Sequence, residues 1–396
     1  MNKILNEYAD LFHNELLDSC APFWLKYGID RQYGGLLNCL DRTGKVYSGD
    51  KSVWMQGRCA WTYSRLCRKY GVREEWLTLA KSCLDFLERH CIDRTDGRMY
   101  FLVTREGLPL RKRRYCFSET FYIMANAEYY AVTGDREALE RARKYFSLVL
   151  DWYREPAKDP YKIAPKFVPG TRDTLSLAPP MILLNVAAVL SECDPDRKNE
   201  YEKLRLAFAS EVVGTFWKPE KDAMFECVGR NGEYLGDSAS TRVVNPGHCM
   251  EVSWFLLDAG LDCGDGELCR TAAEIFLASF QRGWDSEYGG ILYFVDYEGC
   301  PVEAYEHDMK LWWPHNEAIL ASLKFLKATG ENKYFEIFEK VWKYAYSHFA
   351  DGEYGEWFGY LRRDGIPTQP PCKGHTYKGP FHVMRMLMEG ESVLRK

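Results

Sequence analysis

Hydrophobic and polar positions repeat along this chain in six successive units. In each unit a short apolar, strand-like run ends at a turn glycine, and two helical patterns follow before the next run. The turn glycines are Gly44, Gly107, Gly170, Gly232, Gly299 and Gly365. Their spacing of 62–67 residues is typical of a repeat architecture. The weakest strand-like run is the one before Gly170, at residues 161–167.

The two helical patterns of a unit differ in where their apolar residues lie. The first is apolar on nearly every side, which is typical of a buried helix, and the second has one apolar and one charged face. The first set begins near Ser52, Phe117, Leu175, Asn245, Leu311 and Tyr377. The second set covers residues 2–17, 74–90, 137–152, 197–216, 266–280 and 333–348. Six inner and six outer helices predict an all-α fold, a closed (α/α)6 barrel with short β-hairpins at one end.

We expect residues 1–396 to form a single domain. No Pro-rich or Ser/Gly-rich tract divides the chain, and a closed barrel of repeats can reach this length without a linker. An open solenoid is the alternative architecture. It is the weaker one, because no polar capping repeat is visible at either end of the chain.

Composition argues against several classes of partner. The net charge of −5 argues against nucleic acid, and we interpret the one basic cluster, RKRR at residues 111–114, as a solvated hairpin edge. No apolar run resembles a signal peptide or reaches the length of a membrane span. The 14 cysteines are scattered without a C-x-x-C pair, which favours reduced thiols. These features predict a cytoplasmic protein without nucleic-acid or membrane partners.

Matched polar residues at the starts of inner helices predict the site. In a closed ring of antiparallel helix pairs all inner helices begin at the same end, so their first turns surround one mouth. His248 follows Pro246 by two residues, and His382 follows Pro380 by two residues. This repetition favours a pair of acid/base groups over two core histidines. Glu251 shares a helix face with His248 and is expected to orient it.

These residues suggest proton transfer next to a carbonyl group. The positive end of a helix favours a neutral imidazole, which can act as a base. Arg58, on the first inner helix, supplies a fixed positive charge for an enediolate oxygen. A base on each face of the substrate suits epimerisation or aldose–ketose isomerisation of an open-chain sugar.

Further candidates near the mouth allow more than one interpretation. Three aromatic residues suit the apolar face of a sugar, although they suit a helix core equally; they are Trp54, Trp312 and Trp313. We assign Glu119 and Glu317 to substrate binding. In the alternative enzyme class, a glycoside hydrolase, the same two residues could serve as the opposed carboxylates. We interpret His315 as structural. No metal-ligand spacing or nucleotide motif is visible, so we expect no metal and no required cofactor.

Seven segments resemble the N-acyl-D-glucosamine 2-epimerases in content and in order. They are PFWLKYGIDRQYGGLLNCLDRTGKVY, VWMQGRCAWTYSRL, FSETFY, PPMILLN, NPGHCMEVSWFLLDAG, LWWPHNEA and YKGPFHVMR, and they extend from Pro22 to the C-terminal helix. The resemblance implies an (α/α)6 barrel that interconverts N-acetylglucosamine and N-acetylmannosamine through deprotonation and reprotonation at C2. The active-site residues that it implies are Arg58, His248, Glu251, Glu317 and His382. His248 and His382 would be the two acid/base groups.

The resemblance also bears on ligands and assembly. It implies a small amino sugar as substrate, and we assign Asn185 of PPMILLN to substrate binding. Some members of the family are activated by ATP without consuming it, and some are homodimers. Cellobiose 2-epimerases share the barrel and both histidines but carry a further histidine on the third inner helix. That helix reads LAPPMILLNVAAVL here, which favours an N-acyl sugar. Mannose isomerases, which deliver the proton to C1, and a non-catalytic binding protein stay as alternatives.

Overall fold

Two concentric layers of helices make up the protein. The computed structural model describes residues 2–113, 115–161 and 170–395, and within these ranges it contains twelve long helices. In chain order they are α1 (Asn2–Asn14), α2 (Val53–Tyr70), α3 (Glu74–His90), α4 (Phe117–Thr133), α5 (Arg136–Arg154), α6 (Ala178–Cys193), α7 (Lys198–Phe216), α8 (Pro246–Cys263), α9 (Gly266–Gly283), α10 (Trp312–Thr329), α11 (Asn332–His348) and α12 (His382–Arg395). The even-numbered helices form the inner layer, and the odd-numbered helices form the outer layer.

Burial separates the two layers as the sequence pattern predicts. Every residue of α4 from Ser118 to Tyr129 is buried, because this helix has neighbours on all sides. In α3 the buried side chains, such as Trp76, Leu79 and Cys83, recur at helical spacing on one face. Across the described ranges, none of the helices combines the length and apolarity needed to cross a bilayer.

The ring of inner helices is closed. Helix α2 packs against α4, α4 against α6, α6 against α8, α8 against α10 and α10 against α12. Helix α12 then contacts both α2 and α1, and Arg395 Nη2 lies 2.8 Å from Asp10 Oδ1. The predicted (α/α)6 barrel is therefore confirmed. The open solenoid is excluded, because the last helix covers the first.

Strands in the described ranges are short and lie between an outer helix and the next inner helix. They are β1 (Cys39–Leu40), β2 (Val46–Ser48), β3 (Lys51–Ser52), β4 (Leu102–Val103), β5 (Pro109–Arg111), β6 (Thr174–Ser176), β7 (Trp217–Lys218), β8 (Ala223–Met224), β9 (Cys227–Gly229), β10 (Val243–Val244), β11 (Val295–Asp296), β12 (Lys310–Leu311) and β13 (Tyr360–Leu361). All pairs are antiparallel, and β3–β4, β10–β11 and β12–β13 join neighbouring units. Together with their connecting loops these strands form the rim of the barrel.

The six predicted turn glycines share one backbone conformation. Their φ angles all lie between 76° and 102°, a region that residues with a Cβ rarely adopt. Glycine at these positions therefore follows from the turn geometry. Residues 162–167 of the predicted strand before Gly170 lie outside the described residues, as does Arg114 of the basic cluster.

An ion pair recurs in four of the six units and fixes the rim to the barrel. An aspartate at the turn after an outer helix accepts backbone N–H groups of that turn, and a lysine near the next inner helix reaches its carboxylate. The pairs are Asp30–Lys51 (2.9 Å), Asp93–Lys112 (2.7 Å), Asp285–Lys310 (2.7 Å) and Asp351–Lys373 (3.0 Å). The first turns of the inner helices, where the predicted site lies, are held in place from this side.

Candidate active site

The inner helices begin around one open cavity of about 610 Å³. Eight of the ten residues singled out in the sequence line it. They are Trp54, Arg58, Asn185, His248, Glu251, Trp312, Trp313 and His382. The rim completes the wall with Tyr293, Glu306, His375 and Tyr377. These eight residues come from five of the six inner helices and are far apart in the sequence.

His248 lies in the first turn of α8 and meets a carboxylate from the rim. Asn245 Oδ1 accepts the backbone N–H of His248 at 3.1 Å and caps the helix. The Nδ1 atom of His248 lies 2.9 Å from Oε1 of Glu226, which follows β8. Burial disfavours a charged ring, but the charge and the hydrogen bond of Glu226 outweigh burial and raise the pKa of His248. This imidazole is disposed to carry a proton.

His382 begins α12 and has the opposite electrostatic environment. Its side chain is almost completely buried, and its Nδ1 lies 2.8 Å from Glu317 Oε1. Burial lowers the pKa of His382 well below its ordinary value, and the cations Arg58 and Arg385 lower it further. His382 is therefore neutral at physiological pH, and with Nδ1–H donating to Glu317 its Nε2 is free to accept a proton.

The indole of Trp313 lies near both imidazoles. Its ring centroid is 5.0 Å from that of His248 and 5.9 Å from that of His382, with tilted planes in both cases. Helix α8 approaches this indole closely, because a Cβ at Gly247 would lie 2.6 Å from the Trp313 ring. Trp313 and the two histidines therefore belong to one part of the cavity wall.

Arg385 joins two carboxylates at the inner end of the cavity. Its Nη2 atom lies 2.6 Å from Oε1 of Glu251 and 2.6 Å from Oε1 of Glu317. Burial opposes the charge, but the two carboxylates raise the pKa of Arg385. Glu251, Glu317 and His382 bring ligand-type atoms within 4.8 Å of one another. A guanidinium nitrogen already lies between the carboxylates, so this set of donors is matched to an arginine rather than to a metal ion.

Arg58 contributes a second guanidinium, with aromatic neighbours instead of carboxylates. It lies between the rings of Phe121 and Phe381, at 4.3 and 4.9 Å from their centroids. Gly57 lets helix α2 pack closely against helix α4, since a Cβ at this position would lie 2.9 Å from the Phe121 backbone. Burial lowers the pKa of Arg58 to about 9. Arginine is nonetheless protonated at neutral pH.

Several donors in the cavity wall have no partner within the described ranges. They are Arg58 Nε, Arg385 Nε, Trp54 Nε1 and Trp312 Nε1. Buried donors are ordinarily hydrogen-bonded, so unsatisfied ones around a cavity indicate a place for an oxygen-rich ligand. A cavity with a fixed cation, aromatic faces and two imidazoles suits a sugar that undergoes proton transfer.

A comparison with known families agrees with this chemistry. A family model described as N-acylglucosamine 2-epimerase (GlcNAc 2-epimerase) matches residues 35–383. The chain belongs to the N-acylglucosamine 2-epimerase family. As a member of this family of epimerases it is an isomerase, and the resemblance seen in the sequence is confirmed.

Individual relatives cover nearly the whole chain. The N-acylglucosamine 2-epimerase of Bos taurus is 39% identical over 383 residues, which span 96% of this chain and 89% of the relative. The cellobiose 2-epimerase of Ruminococcus albus is 27% identical, over 95% of this chain and 96% of the relative. The structure of cellobiose 2-epimerase from Bacillus thermoamylovorans B4167 has a TM-score of 0.84 at 21% identity, covering 98% of this chain and 99% of that chain. That structural likeness shows the same fold.

Within this N-acylglucosamine 2-epimerase family site, two expectations need correction. The sequence predicts that Glu251 orients His248, but Glu251 pairs with Arg385, and Glu226 takes the place beside Nδ1. The sequence also predicts that the start of α8 keeps His248 neutral. The full charge of Glu226 at 2.9 Å outweighs the partial charge of a helix end, so the pKa of His248 moves upward.

Glu317 and Glu119 do not lie on the cavity wall. Glu317 lies behind His382, where it also accepts from Trp254 Nε1 at 3.0 Å. Glu119 is fully buried, and its Oε1 accepts from Arg98 Nε at 2.7 Å and from Met99 N at 2.8 Å. Their positions do not support two opposed carboxylates of a hydrolase, or direct contact of Glu119 with a substrate.

The role of Glu119 follows from the repeat. In two other units an inner-helix side chain accepts the backbone N–H at the equivalent turn: Gln56 Oε1 from Leu36, and His315 Nε2 from Ile291. Glu119 accepts from Met99 in the same way. His315 is buried, which lowers its pKa to about 3, and its structural interpretation agrees with this geometry.

Two residues of the site are missing from the sequence-based prediction. Arg385 had a usable signal, because it follows His382 by three residues, as Glu251 follows His248. Glu226 had no local signal, since it lies 22 positions before the histidine that it contacts.

Proposed function

We propose that this protein interconverts N-acetylglucosamine and N-acetylmannosamine by removing and returning the proton on C2. The observation that supports this most directly is a pair of histidines in one cavity whose pKa values are shifted in opposite directions. A charged imidazole and a neutral imidazole are the acid and the base that such a reaction needs at neutral pH.

Each group then has a defined step. The neutral Nε2 of His382 takes the C2 proton of the open-chain sugar, and the electron pair of the C–H bond moves toward the C1 carbonyl to give an enolate. Arg58 stabilises the enolate oxygen, because its guanidinium is desolvated and faces the cavity. His248 gives its Nε2 proton to the opposite face of C2 and forms the epimer. The reverse reaction exchanges the two roles.

The wall on α6 supports an N-acyl monosaccharide as the substrate. Ala178, Met181 and Ile182 line it, and Phe117 and Phe121 of α4 continue the same apolar surface. Carbon side chains suit the methyl group of an N-acetyl substituent. They cannot hydrogen-bond the hydroxyl groups of a second sugar ring, which a cellobiose-type substrate would place in the cavity.

Proton NMR of N-acetylmannosamine in D2O with the purified enzyme tests this function. N-acetylglucosamine should accumulate with deuterium at C2 from the first turnovers, while unreacted substrate exchanges later. A ketose product would instead indicate isomerisation, and release of a second compound would indicate hydrolysis. Product that retains its protium at early times would contradict the use of two bases. No reaction and no exchange would contradict the epimerase itself.

We further infer, from the family resemblance, a cytoplasmic homodimer whose activity ATP increases without being consumed. Sedimentation analysis at several protein concentrations tests the dimer, and a monomer at assay concentration would contradict it. Equal activation by ATP and by a non-hydrolysable analogue, without release of ADP, tests the second statement. Activity that is independent of both nucleotides would contradict it.

A further inference from the structure

Both backbone polar groups of Glu226, which lies beside the first turn of α8, are hydrogen-bonded. Its backbone N–H donates to Val243 O at 3.3 Å, and its carbonyl oxygen accepts from Leu177 N at 3.0 Å. Its Oε1 lies 2.9 Å from His248 Nδ1. The Nδ2 of Asn245 also lies 3.2 Å from Nδ1, but a protonated Nδ1 has the nearer carboxylate as its acceptor. The segment between β8 and β9 thus delivers one carboxylate to one imidazole nitrogen.

The carboxylates of the two histidines differ in what else they bind. Glu317, behind His382, accepts from Arg385 at 2.6 Å and from Trp254 at 3.0 Å, so a cation already balances its charge. Glu226 forms an ion pair with His248, and no lysine or arginine lies within ion-pair distance of it in the described ranges. Within the described ranges, His248 is therefore the basic side chain with which Glu226 pairs.

We propose that Glu226 is the positioning residue that keeps His248 protonated with its Nε2–H directed into the cavity, so that in the resting enzyme His248 is the proton donor and His382 the acceptor. This inference rests on the proposed epimerase function. The two histidines then have different protonation states before the reaction, a difference that their matched positions in the sequence do not predict.

The other charged groups around His248 agree with this assignment. Glu251 from its own helix and Glu317 from α10 add negative potential, although both are bound to Arg385. His382 and Arg385 face it from α12, Arg58 lies across the cavity on α2, and Tyr293 and Glu306 face it from the rim. Among the carboxylates named here, Glu226 is the one in direct contact with the imidazole.

The assignment also provides for restoration of the starting state. One turnover moves a proton from His248 to C2 and another from C2 to His382, so the number of protons on the enzyme is unchanged but their positions are exchanged. The side chains of His248 and Glu226 are 27% and 15% exposed, whereas that of His382 is 7% exposed. Solvent therefore reaches the His248–Glu226 pair more readily, so His248 regains a proton from water, while His382, whose pKa is lowered, releases the proton that it took from C2.

NMR titration of the full-length enzyme, labelled with ¹³C and ¹⁵N in its histidine rings, tests this directly. The chain has eight histidines, and His248→Asn identifies the signals of His248. Glu226→Gln keeps a hydrogen-bond acceptor but removes the charge. The midpoint of the His248 titration should fall by about one pH unit or more in this variant. Glu226→Asp, which keeps the charge, should recover part of that shift.

A matched control comes from the same unit of the barrel. Glu220→Gln removes an exposed carboxylate near β7 and should leave the His248 titration unchanged. An unchanged midpoint in Glu226→Gln overturns the proposal. Because the titration needs no turnover, this failure is distinguishable from failure of the epimerase assay.

The pH dependence of kcat/KM supplies a second readout. The fall in rate at high pH follows loss of the proton from His248, so this limb should move to lower pH in Glu226→Gln, with a larger effect on kcat than on KM. A variant that folds, loses activity and keeps the wild-type limb would show that Glu226 affects the rate without controlling the proton on His248, which also overturns the proposal.

Discussion

The carboxylate of Asp30 lies 2.9 Å from the ammonium of Lys51, and neither side chain reaches solvent. Lys51 also donates to the carbonyl oxygens of Gly34 and Arg105, at 2.7 and 2.9 Å. Burial alone would raise the pKa of Asp30, but hydrogen bonds from Arg105 and Lys51 outweigh it and lower the pKa. This pair connects the first rim turn to β3. Helix α2, which carries Arg58, follows β3 directly.

Replacing Asp30 should destabilise the barrel. Asp30→Asn leaves the Lys51 ammonium buried without its carboxylate, and loss of one partner of a buried pair costs about 3–5 kcal/mol. Urea unfolding followed by circular dichroism measures this free energy. The control is Asp10→Asn, which breaks the exposed pair with Arg395 and should cost less than about 1 kcal/mol. Equal effects of the two substitutions would contradict a structural role for the buried pair.

The repeated pairs also predict how stability depends on pH. The pKa values of Asp30, Asp285 and Asp351 are lowered in the folded state, so protons bind the unfolded chain first. Their stabilisation is complete above the unfolded pKa of about 3.9 and is lost as pH falls below it. Urea midpoints measured between pH 7 and pH 2.5 should decrease below pH 4. The decrease should be shallower in Asp30→Asn, and a parallel curve would contradict this account.

Substitution of Glu119 should affect mainly the stability of the fold, whereas substitution of Glu317 should affect mainly catalysis. Glu119→Gln weakens the buried contact with Arg98, which keeps Asp159, so we expect a loss of about 2–3 kcal/mol in unfolding free energy with kcat retained. Glu317→Gln removes the charge beside His382 and should lower kcat by roughly 10²-fold. The epimerase assay and the urea titration, carried out on both variants, measure these two effects. A larger kcat loss in Glu119→Gln than in Glu317→Gln would reverse the assignment.

The two histidines should each be needed for turnover. Loss of a general acid or base typically lowers the rate by roughly 10²–10⁴-fold, so His248→Asn and His382→Asn should both fall in this range while keeping their helical circular dichroism. His13→Asn, on the outer helix α1, is the matched control and should retain full activity. Near-normal kcat in either cavity variant would remove that residue from the mechanism.

Arg58 should show opposite effects on activity and stability. Arg58→Lys keeps a charge but loses the planar group that fits between Phe121 and Phe381, so kcat/KM should fall by roughly 10²-fold or more. Arg58→Met removes a buried cation and should raise the melting temperature while abolishing activity. Near-normal kinetics in Arg58→Lys would show that a point charge suffices.

Periodicity predicts the helices well because each one buries a continuous apolar surface. The predicted segment 74–90 corresponds to Glu74–His90 in the structure, and 137–152 to Arg136–Arg154. Among the inner helices, the least accurate start is that of the last one, predicted near Tyr377 and observed at His382. Gly379 and Pro380 precede it, and these residues disfavour an earlier start.

Roles within the site are harder to predict, because they depend on contacts across the barrel. Glu119 and Glu251 both lie in the first two turns of an inner helix, yet one supports a turn and the other lines the cavity. The contact of Glu251 with Arg385 joins residues 134 positions apart. Hydrophobic patterning predicts which end of the barrel holds the site. The partner of each charged group is known only once the helices are placed in the closed ring.

Closure of the ring has a consequence for the order of the units along the chain. Because α12 packs on α1 and Arg395 reaches Asp10, the first and last of the described helices are neighbours. A short linker could connect them, and new termini could be opened at an exposed rim turn such as the one at Gly299. Such a circular permutant would keep every inner helix beside its present neighbours. Closure therefore leaves the barrel without an obligatory first unit.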